Sequence, residues 1–287
     1  MSEKHIDDIS GVETTGHEWD GIRELNNPMP RWWVWTFYAT ILWGIAYTIA
    51  FPAWPLISGS TQGLLGWHSR AEFVAESADA KAAQNVYLDK IASSSLEEIQ
   101  ANSELMQFAV AGGAAAFKIN CIQCHGSGAE GGNGYPNLND DDWLWGGKVG
   151  DIQTTITHGI RFTEDSDTRL SEMPAFGEML KNDEIREVAA YVVSLNGTPH
   201  DASLVAPGAQ IFADNCASCH GEDAKGNRDM GAPNLADSIW LKSHGEDGVA
   251  AQVRLPKHGV MPAWGARLGD TTVKQLTLFV HSLGGGE

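Results

Sequence analysis

The hydrophobic pattern of the chain begins with an apolar run, residues 32–51, that holds twenty residues and no charge. As an α-helix this run spans roughly 30 Å, which is the thickness of the hydrocarbon core of a bilayer. Trp32 and Trp33 lie at one end and Trp54 lies just beyond the other, as aromatic residues do at membrane interfaces. A cleaved signal peptide would start earlier, behind basic residues, and a run this long without charge is unusual for a buried core helix. The pattern predicts one transmembrane helix over residues 32–51.

Amphipathic helices close two similar segments, residues 104–198 and 205–287. In the first, apolar residues recur with the i, i+3, i+4, i+7 spacing of a helix: Ile185, Val188, Ala189 and Val192. In the second, four residues do the same: Leu276, Phe279, Val280 and Leu283. No stretch after the apolar run alternates apolar and polar residues as a strand does. We therefore expect a mainly α protein, with an all-helical part beyond the span.

Polar segments flank the predicted span. Residues 1–31 are acidic and show no helical periodicity. Residues 52–103 are rich in Ala, Ser and Glu, and we interpret them as a linker, with a disordered chain as the alternative. Within that linker Ser95 and Glu98 resemble a capping box, which predicts a helix over residues 89–104.

All four cysteines of the chain belong to two C-x-x-C-H motifs. The motifs are Cys121-Ile122-Gln123-Cys124-His125 and Cys216-Ala217-Ser218-Cys219-His220. This pentapeptide attaches a c-type haem, because its two thiols bind the vinyl groups as thioethers and its histidine binds the iron. A zinc site would need further ligands at suitable spacing, and a thioredoxin-like motif would need a βαβ setting. The motifs predict two covalently bound haem c groups, with His125 and His220 as iron ligands.

The segments that hold these motifs are a duplication. Their matching blocks occur in the same order: Pro136-Asn137-Leu138 with Pro233-Asn234-Leu235, His158-Gly159 with His258-Gly259, and Met173-Pro174-Ala175-Phe176-Gly177 with Met261-Pro262-Ala263-Trp264-Gly265. The first copy carries an insert at about residues 161–172, ahead of its methionine. We expect two tandem class I cytochrome c domains, residues 104–198 and 205–287, behind one N-terminal transmembrane helix.

Met173 and Met261 are the candidate sixth ligands of the two irons. Each precedes a proline in matched context, and a thioether ligand is typical of electron-transfer haems. The sequence does not decide which methionine serves which haem: ligation within each segment is the default, and exchange between the segments is the alternative. With both sixth positions filled, the irons would transfer electrons and not bind a substrate.

Other side chains compete for these roles. His158 and His258 are rival iron ligands, although loop histidines bonded to a propionate or to the backbone are the simpler interpretation. Met106, Met179 and Met230 lack the matched context, and Met179 is expected in the core. Two arginines are candidate partners for haem propionates: Arg161 and Arg254.

Acidic residues dominate the charge of the chain. It has 37 Asp and Glu residues against 19 Lys and Arg, for a net charge of −18. This charge argues against nucleic acid and against docking on anionic headgroups. It suits a basic protein partner attracted over a long range, although acidity that only maintains solubility explains it equally well.

The N-terminal residues carry a specific resemblance. The run TGHEWDGIRELNNP at residues 15–28, PRWW at 30–33 and FPAWP at 51–55 resemble the signature of the dihaem subunit III of cbb3-type cytochrome c oxidases. With both haem motifs and the order of segments, the resemblance covers nearly the whole chain. It implies a membrane-anchored electron-transfer subunit of a terminal oxidase.

The resemblance implies a pathway and a location. Electrons would pass from a donor cytochrome c, periplasmic or membrane-bound, to the monohaem subunit and on to the catalytic subunit, which reduces oxygen to water and pumps protons. What is known of c-type cytochromes implies that haem attachment in bacteria takes place outside the cytoplasmic membrane. Residues 1–31 would then be cytoplasmic and residues 52–287 periplasmic, with a single pass through the lipid of the inner membrane.

Two other functions stay open at this point. A free-standing membrane-anchored dihaem shuttle would carry the same motifs without a fixed complex. A dihaem peroxidase would need one iron with an open sixth position, which two Met-Pro loops disfavour.

Overall fold

The computed structural model describes residues 5–242 and 244–287. The chain divides into two compact units, with the boundary between Ala82 and Ala83. The first unit opens with an antiparallel hairpin of β1 (Thr14–Trp19) and β2 (Ile22–Leu25). Asp20 and Gly21 form its turn with φ values of 50° and 83°, as a two-residue hairpin of this twist requires. The polar N-terminal segment is thus partly ordered, which its weak periodicity did not predict.

The predicted span is helix α1 (Arg31–Ala50), one residue displaced from residues 32–51. Among the described residues it is the one helix long and apolar enough to cross a membrane. Its three threonine hydroxyls donate to carbonyls of the same helix at 2.8–2.9 Å: Thr36, Thr40 and Thr48. Since lipid offers no acceptors, this internal pairing suits a helix exposed to hydrocarbon.

A short ribbon follows the span, where we expected helices alone. Strands β3 (Pro55–Leu56) and β4 (Gly59–Ser60) pair antiparallel. Helix α2 (Ser69–Ser93) then leads into the second unit. The mainly α prediction is confirmed, and the two small ribbons are its exceptions.

The second unit consists of short helices joined by loops. In chain order they are α3 (Leu96–Ala101), α4 (Ser103–Asn120), α5 (Ile122–His125), α6 (Val149–His158), a 3₁₀ turn (Phe176–Glu178), α7 (Asn182–Ser194), α8 (Ala202–Asn215), α9 (Ala217–His220), α10 (Gly245–Arg254), α11 (Gly265–Leu268) and α12 (Asp270–His281).

These helices build two lobes, each of which draws on both sequence repeats. Lobe A consists of α4, α5 and α6 from the first repeat and α11 and α12 from the second; Phe117, Ile156 and Leu276 lie in its core. Lobe B consists of α8, α9 and α10 from the second repeat and α7 from the first; Ile185 and Phe212 lie in its core. The repeats have therefore exchanged their C-terminal helices.

The connection between the repeats explains this exchange. Only residues 195–201 separate α7 from α8, and helices joined by a short loop pack as antiparallel neighbours. The last helix of the first repeat is thereby held against the first helix of the second. The matching position in lobe A is then filled by α12.

The end of the expected linker packs against lobe A. Ile91 and Ile99 form an apolar cluster with Leu278 of α12. The Nζ atom of Lys274 donates to three carbonyl oxygens, at 3.2, 3.0 and 2.7 Å: those of Ile91, Ala92 and Ser94. Residues from 83 onward thus belong to the folded unit and are not a disordered spacer.

The capping box is present, but it divides the helix expected over residues 89–104. The Ser95 amide donates to Glu98 Oε2 at 2.8 Å, and the Glu98 amide donates to Ser95 Oγ at 3.2 Å. Because an N-cap residue is not helical, the chain leaves the helical conformation after α2, and the box begins a new helix, α3.

Candidate haem sites

The first C-x-x-C-H motif is one helical turn at the end of α4. The amides of Cys124 and His125 both donate to the Cys121 carbonyl, at 3.2 and 3.0 Å. This turn brings two thiols and an imidazole to one side of the backbone. The His125 Nδ1 atom lies 3.1 Å from the Pro136 carbonyl oxygen. When Nδ1 donates that bond, Nε2 is left with a free lone pair for a metal.

The second motif repeats this geometry at the end of α8. The amides of Cys219 and His220 donate to the Cys216 carbonyl at 3.1 and 3.0 Å. The His220 Nδ1 atom lies 3.1 Å from the Pro233 carbonyl oxygen. The duplicated Pro-Asn-Leu block therefore has a role, since in both repeats its proline carbonyl orients the motif histidine.

Burial sets the protonation of these groups. It lowers the pKa of His125 and of His220, against the bond to the proline carbonyl, which raises it. Both imidazoles are therefore neutral near pH 7, as metal ligation requires. Burial, followed by the neighbouring cysteine, raises the pKa of Cys121 and of Cys216 to about 11. Such thiols are protonated and poor at disulfide exchange, so the redox-motif alternative is disfavoured.

Met261 lies in lobe A with the first motif. Like Cys121 and Ile122, it packs against the buried cluster that contains Phe117 and Leu276. Its backbone pairs in both directions with Ile160, the Met261 amide donating at 3.0 Å and the Ile160 amide at 2.9 Å. Gly159 makes this approach possible, because at φ 70° a Cβ atom there would collide with the Met261 carbonyl oxygen.

Met173 lies in lobe B with the second motif. It packs against the cluster that contains Cys216 and Phe212. Each methionine of a Met-Pro pair is thus grouped with the haem motif of the other repeat. The structure favours the exchange alternative over the default of ligation within each segment.

The rival residues lie elsewhere. The His158 Nδ1 atom lies 3.2 Å from both carboxylate oxygens of Asp165, and His258 is exposed. Met179 is 65% exposed, so the expectation that it fills the core is wrong. Met106 packs against the apolar cluster of Ile91, Ile99 and Leu278.

The two arginines have protein partners. The Arg254 Nη2 atom donates to Asn182 Oδ1 at 3.2 Å on an exposed surface. Arg161 donates from its guanidinium to two backbone carbonyls, those of Gly259 and Ser171. This bridging position was not visible in the sequence, since its two acceptors belong to different repeats.

The residues of both lobes fit haem c. Among the described residues, the four thiols form no disulfide, each motif histidine keeps one ring nitrogen free, and a methionine packs against each apolar cluster. Lobe A also holds a donor that suits an anionic group. The Nε atom of Arg169 is buried without a partner among the described residues, while its Nη1 atom donates to the Trp145 carbonyl at 3.1 Å. A propionate would satisfy that donor.

Two family models together match most of this chain. The N-terminal domain of cytochrome oxidase-cbb3, FixP, matches residues 11–58. The model of cytochrome c oxidase, cbb3-type, subunit III matches residues 108–192 and 203–280. The chain belongs to the subunit III family of cbb3-type cytochrome c oxidases. It is an electron-transfer subunit of that oxidoreductase, as the N-terminal resemblance implied.

Members of this family resemble the chain over its full length. The cbb3-type cytochrome c oxidase subunit FixP of Rhizobium meliloti is 67% identical over 284 residues, which cover 99% of this chain and 98% of the relative. The subunit CcoP of Cereibacter sphaeroides is 53% identical over 277 residues, covering 96% and 95%. Helix α1 and both lobes therefore lie within the range of these similarities.

Proposed function

We propose that the chain binds two haem c groups with exchanged sixth ligands and passes electrons from a donor cytochrome c to the monohaem subunit of the oxidase. The observation that supports the proposal is the grouping of each C-x-x-C-H motif with the Met-Pro loop of the other repeat. Each haem supplies an iron that cycles between the ferric and ferrous states.

The ligand sets follow from this grouping. In lobe A, Cys121 and Cys124 would attach one haem c, and His125 and Met261 would bind its iron. In lobe B the set is equivalent: Cys216, Cys219, His220 and Met173.

The protein residues around these ligands control the sites. The proline carbonyls at positions 136 and 233 hold the histidine rings in one orientation, which leaves each Nε2 atom free to bind an iron. The methionines would fill the sixth positions and so keep water and substrates away from the irons. Their thioether sulfur would favour the ferrous state and raise the reduction potential. We assign the reduction of oxygen to water, with its coupled proton pumping, to the catalytic subunit.

The location follows from α1 and from haem attachment. Helix α1 would anchor the chain in the bacterial inner membrane, with residues 1–31 in the cytoplasm and both haem lobes in the periplasm. Attachment of haem outside the cytoplasmic membrane supports this orientation. Partners within the membrane are lipid and the catalytic and monohaem subunits.

The donor is proposed to be a basic cytochrome c. The net charge of −18 would attract such a partner over a long range, and it disfavours nucleic acid.

Solubilisation in mild detergent tests membership of a fixed complex. On a native gel we expect the haem-stained band of this chain to migrate with oxidase activity, while a chain with α1 deleted should migrate alone. Migration of the intact chain as a monomer would favour the free-standing dihaem shuttle. Turnover of hydrogen peroxide by the purified chain would instead favour a peroxidase.

A further inference from the structure

Residues 159–161 form a junction between the two methionine loops. The backbone of Ile160 pairs with Met261 on one side and lies beside Arg169 on the other. On the Arg169 side, the Arg161 amide donates to the Arg169 carbonyl at 2.9 Å, and the Arg169 amide donates to the Gly159 carbonyl at 3.3 Å. One short segment of the first repeat therefore contacts the loops that precede both Met173 and Met261.

Arg161 completes this junction with its side chain. Its Nε atom donates to the Gly259 carbonyl at 2.7 Å, and its Nη1 atom donates to the Ser171 carbonyl at 2.8 Å. Gly259 lies two residues before Met261, and Ser171 lies two residues before Met173. The single guanidinium thus holds equivalent positions of two loops that serve different lobes.

The conformation of Arg161 indicates that this contact is specified by the fold. Its φ of 51° lies in the left-handed region, which residues other than glycine seldom adopt unless the surrounding structure enforces it. The residue also belongs to the insert at about residues 161–172, which the second repeat lacks. The second repeat therefore offers no equivalent arginine, and one residue serves both loops.

We propose that Arg161 is a positioning residue that fixes both Met-Pro loops at once, so that the sixth ligands of the two haems share one support. The proposal rests on the ligation of haem by Met173 and Met261 proposed above. An arginine suits the role because its planar fork presents several fixed donors, whereas lysine presents a single flexible ammonium. Arg161 is partly buried, which shields both bonds from competing water.

Imidazole binding to the ferric full-length protein tests this proposal. Imidazole can reach an iron only when the methionine loop opens, so its affinity reports how firmly each loop is held. In Arg161→Gln we expect the affinity to rise about tenfold at both haems, which corresponds to one lost charge-assisted hydrogen bond per loop. The paramagnetically shifted methyl resonances of the two haems allow each to be followed separately.

Two further variants provide controls. Arg186→Gln removes an exposed arginine of α7 and should leave both affinities at the wild-type value. Arg161→Lys keeps the charge without the fork, and it should also loosen both loops. Imidazole affinities of Arg161→Lys equal to those of the wild type would overturn the bridging geometry, because a positive charge alone would then suffice to hold both loops.

The remaining outcomes separate this proposal from the ligand assignment. A change at one haem alone, or at neither, in Arg161→Gln would overturn the shared support. If Arg161→Gln does not retain covalent haem, the same reading is taken from Arg161→Lys. A wild-type protein whose ferric spectrum shows no methionine-to-iron charge-transfer band would instead refute ligation by methionine, whatever the variants do.

Discussion

At the scale of residues, the sites combine groups that the sequence displays with groups that it does not. The C-x-x-C-H motifs and the Met-Pro pairs are visible as repeated patterns, and the structure groups the first cysteine of each motif with one methionine at an apolar cluster. The acceptors of the motif histidines could also have been suggested by the repeated Pro-Asn-Leu block. The bridging role of Arg161 could not, because a side chain that donates to main-chain carbonyls leaves no pattern in the residues that accept.

Asp142 gives a prediction about pH. Burial, followed by the charges of Asp237 and Asp140, raises the pKa of Asp142 to about 6. A raised carboxyl pKa means that the folded state binds the proton more tightly than the unfolded state does. The contribution of Asp142 to the free energy of unfolding therefore falls as the pH rises from about 4 to about 6. Asp142→Asn should therefore raise the free energy of unfolding at pH 7 by about 1 kcal/mol, a value reduced for partial solvent screening.

Denaturation by guanidinium at several pH values measures this effect. The variant and the wild type should have similar stability below about pH 4, should diverge as the pH rises from about 4 to about 6, and should differ by a constant amount above that. A stability difference that does not change between about pH 4 and about pH 6 would contradict the assigned cause.

At the scale of elements, the sequence predicted where the helices lie along the chain better than it predicted which helices pack against each other. Helix α1 lies within one residue of its predicted bounds, because an uncharged run has sharp ends. The hairpin of β1 and β2 was missed, although Asp20-Gly21 is a hairpin turn signal. The exchange of α7 and α12 could not be decided, since the two repeats offer each helix nearly equivalent apolar surfaces and the choice depends on how the loop at residues 195–201 runs.

Core substitutions in the exchanged helices test that packing. Leu276 of α12 and Ile185 of α7 are both fully buried, at 1% and 0% exposure. Leu276→Ala should weaken lobe A by about 2–5 kcal/mol, so the haem at Cys121 should lose its methionine ligand at lower guanidinium concentration. Ile185→Ala is the matched control and should affect the haem at Cys216. The opposite pairing of variant and haem would contradict the exchange.

The capping box of α3 gives a second prediction at this scale. Ser95→Ala removes the acceptor for the Glu98 amide and should cost about 1 kcal/mol. Since α3 packs through Ile99 on the cluster that contains Leu278, amide hydrogen exchange should quicken in α3 before it does in α10. Unchanged exchange in α3 would show that packing alone holds this helix.

At the scale of the whole molecule, the two features that bear on electron transfer are the acidic surface and the exchange of helices between the lobes. The net charge of −18 follows directly from the sequence, as does the duplication. The sequence could not show that the two Met-Pro loops meet at residues 159–161, because that meeting depends on the exchange of helices.

The charge predicts how electron entry responds to salt. The second-order rate of reduction by a basic cytochrome c should fall steeply as ionic strength rises, because salt screens attraction beyond about 10 Å at 0.1 M. Stopped-flow measurements with an acidic donor should show the opposite trend. Rates that are independent of salt with both donors would indicate that the acidity serves only solubility.

The exchanged ligand sets are the central claim, and variants that retain a single haem test it most directly. In a Cys121→Ala, Cys124→Ala chain only the haem at Cys216 is attached, and its methionine-to-iron charge-transfer band can be recorded alone. We predict that Met173→Ala abolishes this band in that background, while Met261→Ala leaves it intact. Loss of the band in Met261→Ala with its retention in Met173→Ala would contradict the account and restore ligation within each repeat.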